Sequence, residues 1–393
     1  MGSVPTNQKY GSFYECSQSL LVTYLKTHLA NMHPAYFALV MATGIVSIAC
    51  KFFGLTEIAG ALSRINLVAY PLLWILYTTR AVMFWRQFFA DWSDHSRTPG
   101  FFTVVAATGV LGSQEMILHE SVMLAQTLWW ASVVLWIVCT YTIFASLTIR
   151  KEKPLLAQGI NGGWLVAVVA TQSVCVLGFL LNGIILPDHR DAVLFMLMSL
   201  WLGGGMLYIW IIGLIFYRYM FFSFSPNDLM PPYWINMGAV AISTVAGTLL
   251  AHAVESSPIL LSLRPFILGL SIMFWATATW WIPMLLVLGV WRYYQHKIQL
   301  TYDPLYWGLV FPLGMYSVCS FRLANILNAT FLMWIARFFV IAALSAWLLT
   351  FLGLTARALY AVLLGCRGKQ AQIISKNAKA QMNEFNYKGG NTL

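Results

Sequence analysis

Ten apolar stretches follow one another through the chain, at about 34–53, 62–86, 100–117, 121–149, 161–185, 192–220, 233–252, 259–291, 304–325 and 332–357. A run of about 20 apolar residues crosses the hydrocarbon core of a bilayer as a helix. Lipid offers the backbone no hydrogen bonds, so each run is driven to the conformation that bonds internally. The connections are short, which leaves no room for a soluble domain. Composition points the same way: 9% of residues are charged, against about a quarter in soluble proteins. The expectation is an all-α polytopic membrane protein with a segment 1–33, a ten-helix domain 34–357 and a basic tail 358–393. Residues 1–33 lack the basic-apolar-small order of a cleavable signal, and Leu20–Leu25 with Lys26 and His28 has the makings of a short interfacial helix.

Orientation follows from Lys and Arg, which concentrate on the cytoplasmic side. With both termini inside, only Lys51, Arg64, Arg190, Arg264 and Arg322 fall outside, and Arg337 lies within the tenth span. The net charge of +10 is then largely cytoplasmic and needs no nucleic-acid partner. The six cysteines (Cys16, Cys50, Cys139, Cys175, Cys319 and Cys366) form no CxxC pair, so neither a disulfide framework nor a zinc site is expected. The histidines cluster near span ends and in loops, away from the facing positions that a bis-histidine haem needs. No cofactor and no enzymatic activity are expected.

The odd-numbered spans open alike: His33-Pro34-Ala35-Tyr36-Phe37, Thr98-Pro99-Gly100-Phe101-Phe102, Asn161-Gly162-Gly163-Trp164, Pro231-Pro232-Tyr233-Trp234 and Asp303-Pro304-Leu305-Tyr306-Trp307. Further in, Ala42-Thr43-Gly44, Ala107-Thr108-Gly109 and Ala170-Thr171-Gln172 fall in register. The even spans close on Arg86, Arg150, Arg218, Arg292 and Arg357. Proline suits a helix start and arginine a cytoplasmic end without common ancestry. Agreement of all three features favours five helical hairpins of about 65–75 residues each.

Five hairpins in one orientation suggest pseudo-fivefold packing around a central pore. The odd helices suit the inside, because they carry the small and hydroxyl residues that permit close approach. The even helices carry bulky runs such as Leu128-Trp129-Trp130 and Trp280-Trp281. Aligning the odd spans predicts one ring at a common depth: Met41, Ala106, Val169, Gly238 and Phe311. Pro312 breaks its own helix beside that ring, and a hydrophobic constriction can close a narrow path by dewetting. Phe311 therefore reads as a gate, or as an aromatic that merely packs between helices. Thr43, Gly44, Thr108, Gly109, Thr171 and Gly314 are expected to line the remaining path. A neutral, hydroxyl-lined path without acidic rings favours anions over cations. Arg337 could draw substrate in, or snorkel to the surface or pair with Glu115. Gly203-Gly204-Gly205 fits close helix packing, since no phosphate-loop Lys-Ser/Thr follows it.

Pro34 through Ser47, Asn161-Gly162-Gly163-Trp164 with Val169 through Ser173, and Trp307 through Tyr316 with its Phe-Pro resemble the tellurite-resistance/dicarboxylate transporter family. That family includes the plant guard-cell slow anion channels, the fungal malate permease and the fungal sulfite pump. The resemblance covers about residues 30–360. It implies five hairpins around a pore, a homotrimer with one pore per subunit, and Phe311 at the place of the channels' gating phenylalanine. The wording Met41-Ala42-Thr43-Gly44 is similar to the malate and sulfite branch, where Met-Gly-Thr-Gly is common. Two modes of transport stay open: passive or gated conduction of small anions, and proton-coupled carriage of malate-like dicarboxylates or sulfite.

Overall fold

A computed structural model describes residues 26–297 and 302–359. The interfacial-helix expectation over Leu20–Leu25 and most of the basic tail lie outside the described residues. His33–Thr350 forms one compact unit; the described parts of a second are 26–32 and 351–359. Among the described residues there is no strand, and ten helices are long and apolar enough to span a membrane. They are α1 (Pro34–Phe52), α2 (Thr56–Met83), α3 (Thr98–His119), α4 (Val122–Ile149), α5 (Gly162–Leu180), α6 (Pro187–Phe221), α7 (Pro231–Ser256), α8 (Leu261–Gln295), α9 (Pro304–Leu327) and α10 (Leu332–Leu359). The expected spans are all present with shifted ends. The largest shift is in the second, which starts at Thr56 and stops at Met83, before a separate short helix Trp85–Trp92.

All five odd helices open with a 3-10 turn: Pro34–Phe37, Thr98–Phe101, Gly162–Leu165, Pro231–Trp234 and Pro304–Tyr306. Proline suits this position because the first helical N–H groups have no partner within the helix. Three of the turns carry the same cap. The side chains of His33, Asn161 and Asp303 accept a hydrogen bond from the backbone N–H two residues on, at Ala35, Gly163 and Leu305. Three of the five arginines that end the even helices reach back to the loop before their own hairpin. Arg150 donates to the carbonyl of Ser93, Arg218 to Ile160 (2.8 Å) and Arg292 to Leu229. Arg86 departs from this series: it is exposed and stacks on Trp85, and Arg80 instead makes the buried contact, with Asp91.

The odd helices are the buried ones. Their apolar windows are 72% to 94% buried, against 17% to 44% for the even helices, so the even set forms the outer layer. The odd helices pack in cyclic order, with α1 on α3, α3 on α5, α5 on α7, α7 on α9 and α9 back on α1.

Glycine sets the spacing at several of these contacts. A Cβ at Gly44 would stand 2.7 Å from Val110 Cγ1, one at Gly109 2.9 Å from Ser173 Oγ, and one at Gly314 2.9 Å from Ile45 Cγ2. At Gly238 it would meet Pro312 Cγ at 2.7 Å. Outside this ring, Gly204 faces Gln172 and Gly205 faces Phe274, so that run serves helix packing.

Gly44→Val should therefore lower the unfolding temperature of the detergent-purified protein, with an overpacking cost of about 1–3 kcal/mol. Gly60→Ala, where an added Cβ meets nothing within 4 Å, should not destabilise and should gain up to about 1 kcal/mol from helix propensity. Equal effects of the two would contradict the close-approach account.

Candidate functional site

Two cavities lie end to end along the odd helices. The larger, of about 270 Å³, sits at their amino ends. The smaller, of about 20 Å³, lies further along the same helices and has room for about one water. Helical periodicity explains both linings from the one ring read in the sequence. Three residues before that ring stand Ala38, Thr103, Val166, Ile235 and Gly308, and all five line the larger cavity. Four residues after it come Ile45, Val110, Ser173, Ile242 and Met315, and all line the smaller one. So do Ile48, Ser113, Val176, Val245 and Val318, seven residues after. Positions three, four and seven apart share a helix face, so one face of each odd helix is turned to the same axis.

The ring itself separates the two spaces. Phe311 is 1% exposed and, with Met41 and Val169, walls the inner end of the larger cavity. Ala106 is buried without lining either cavity, and Gly238 is covered by Pro312. Pro312 removes the backbone bond to the carbonyl of Gly308, and Gly308 is part of the larger cavity's wall.

The hydroxyls expected in the path point elsewhere. Thr43, Thr108 and Thr171 each lie two residues past the ring, about 200° around the helix, and face the outer layer. Thr43 Oγ1 accepts from the Trp347 indole of α10 at 2.9 Å, and Thr171 Oγ1 from the Trp136 indole of α4 at 2.8 Å. Thr108 Oγ1 bonds the Tyr70 hydroxyl of α2 at 2.8 Å. Gly44, Gly109 and Gly314, one position further, fill helix–helix contacts instead of lining the path. Of the three alternatives for Arg337, the structure has the surface one: it is exposed on α10 and stacks over Trp334, 5.8 Å from the ring centroid.

Sequence reasoning passed over three basic residues that the fold brings to the cavities. His33 and Arg97 line the larger one and Arg322 the smaller. Arg322 lies eleven residues after Phe311, three helical turns on the same face, so extending the ring register would have found it. Arg97 is held by Asp91 at 2.7 Å, and Asp91 also receives the buried Arg80 at 2.5 Å. Burial, with Arg97 nearby, pushes His33 down to about 4. Its Nδ1 accepts from Ala35 N at 3.1 Å and must be unprotonated to do so. Among the described lining residues of either cavity there is no carboxylate.

Residues 31–355 match the family described as SLAC1, voltage-dependent anion channel. An uncharacterized membrane protein of Mycobacterium tuberculosis is 36% identical over 150 residues, covering 38% of this chain and 75% of that one. An uncharacterized transporter of Methanocaldococcus jannaschii is 23% identical over 298 residues, covering 74% of this chain and 84% of its own. A second from the same organism is 23% identical over 297 residues, 74% of this chain and 83% of the relative.

A His33 value below that of the unfolded chain contributes stability above about pH 6.5, and that stability is lost as pH falls towards 4. His33→Asn keeps the cap acceptor, as Asn161 does in the corresponding turn, and removes the titration. It should match wild type in thermal unfolding at pH 7.5 and exceed it at pH 4.5 by on the order of 2 kcal/mol. Parallel pH profiles for the two proteins would show that His33 is not held neutral.

Proposed function

The chain belongs to the SLAC1 family of voltage-dependent anion channels, and from that membership we propose a gated conduit for small anions in which Phe311 closes the path between the two cavities. One observation carries the proposal: all five odd helices contribute to both cavities, and Phe311 is buried between them. The path then runs along a pseudo-fivefold axis. At the Phe311 level it is narrow and apolar, the condition under which a constriction excludes ions by dewetting.

Charge decides the sign of the permeant ion. The amino ends of five helices converge on the larger cavity, and each carries a partial positive charge. Arg322 adds a charge to the smaller cavity's wall, and at the larger cavity Arg97 shares the single carboxylate of Asp91 with Arg80, two positive groups to one negative. A cation entering from either end meets repulsion, whereas an anion is attracted.

Conduction without proton coupling is favoured by the same inventory. A proton-coupled carrier needs a group in the path that gains and loses a proton near neutral pH. Burial pushes His33 down to about 4, away from that range, and the other charged lining residues are arginines. In the proposed orientation the larger cavity and both termini face the cytoplasm, and three copies assemble as the family resemblance implies.

Phe311→Ala, reconstituted in proteoliposomes, should raise passive chloride or nitrate flux by about an order of magnitude or more through removal of the constriction. A silent variant, together with malate or sulfite uptake driven by a pH gradient in wild type, would overturn the conduit and favour a carrier.

A further inference from the structure

Half-buried Arg322 has surroundings unlike those of Arg80, Arg97 and Arg218. Arg80 and Arg97 share Asp91, and Arg218 pairs with Asp228 at 3.4 Å. Among the described residues no carboxylate pairs with Arg322; its guanidinium lies over the Phe52 ring at 5.3 Å. Phe52 in turn stacks on Phe321 at 4.9 Å, with Phe53 edge-on to the same ring at 5.4 Å. Phe52 stands eleven residues after Met41, at the same depth as Arg322, so the guanidinium is held at that level by an aromatic face on the neighbouring odd helix.

The rest of the smaller cavity is apolar apart from two serines. Ser113 and Ser173 donate to their own helices, to the carbonyls of Gly109 and Ala170, at 2.8 Å each. The other wall residues are Ile, Val, Leu and Met. Arg322 thus brings the donors that are left for a guest. A guanidinium in an apolar wall is costly unless an opposite charge meets it, and the cation–π contact offsets only part of that cost.

We propose that Arg322 forms an anion-binding site in the smaller cavity, which a singly charged anion occupies on its way through and which disfavours divalent anions. The site rests on the conduit reading and adds a stop three helical turns beyond the gate. One guanidinium neutralises one negative charge; the second charge of sulfate or a dicarboxylate would stay uncompensated among apolar side chains. The planar fork of N–H groups fits a planar oxyanion such as nitrate through two parallel bonds. The cavity as it stands holds little more than a water, so entry requires a wall to yield. Met315, unbranched and flexible, is the wall residue on α9 placed to do so.

The test is conductance in planar bilayers as a function of nitrate concentration, with nitrate-over-sulfate preference from reversal potentials, for wild type, Arg322→Gln and Arg322→Lys. Wild type should saturate. Arg322→Gln should raise the half-saturating nitrate concentration about tenfold and lower the preference about tenfold, as loss of one charge-assisted pair implies. Arg322→Lys should keep most of the preference. Wild-type saturation and preference in Arg322→Gln would overturn the site, as would a wild-type conductance that rises linearly with nitrate, even if no variant folds. Thermal stabilisation of purified wild type by nitrate over sulfate at equal ionic strength, lost in Arg322→Gln, reads the site without conduction. That result in a protein that passes no anion would sink the conduit and leave the site standing.

Discussion

The close approach of the odd helices, made possible where a side chain is missing, is the constraint on which the rest depends. Gly44, Gly109 and Gly314 each receive a residue of the next odd helix, and Gly238 receives Pro312. Without a hydrophobic drive between helices in lipid, association rests on contacts of this kind and on hydrogen bonds between helices. A Cβ at any of these glycines would meet a residue of the neighbouring odd helix at under 3 Å, so the two helices or that residue must shift. In the proposed conduit, the fit of the path around Phe311 is therefore set by its neighbours as much as by Phe311 itself.

The outer layer fixes the rotation of the odd helices. Tyr70, Trp136 and Trp347 bond the equivalent threonines of α3, α5 and α1. Each bond ties an even helix to the odd helix that follows it, counting α1 as following α10. A hydroxyl bonded outward cannot also serve the axis, and the residues left facing inward are mainly aliphatic. The cavity walls are therefore mainly apolar with a few basic residues. In a low-dielectric passage each such charge acts more strongly than it would in water.

Much of this was legible in the sequence, because depth along a helix is encoded by register. The Pro-aromatic openings and the Ala-Thr pairs align the odd spans, and the alignment at Phe311 places ten residues beyond the ring and five before it on cavity walls. Direction around the helix was read less well. The threonines were taken as lining because they are polar, although two residues on means the opposite face. Arg322 was counted only for topology, although its spacing from Phe311 puts it on the lining face. For Arg337 the sequence left a surface position, a pairing with Glu115 and a role towards substrate all open, since the choice depends on how α10 packs, and nothing in the order of residues fixes that.

The central claim, one path divided at Phe311, is most directly tested by side-specific thiol labelling. Ile235 lies before the ring on α7 and Leu249 after it, on opposite cavities. In a background without native cysteines, Ile235→Cys should react with a membrane-impermeant reagent only from the side of the odd-helix amino ends. Leu249→Cys should react only from the other side. Reaction of either cysteine from the opposite side with Phe311 intact, or of both from one side, would contradict the account.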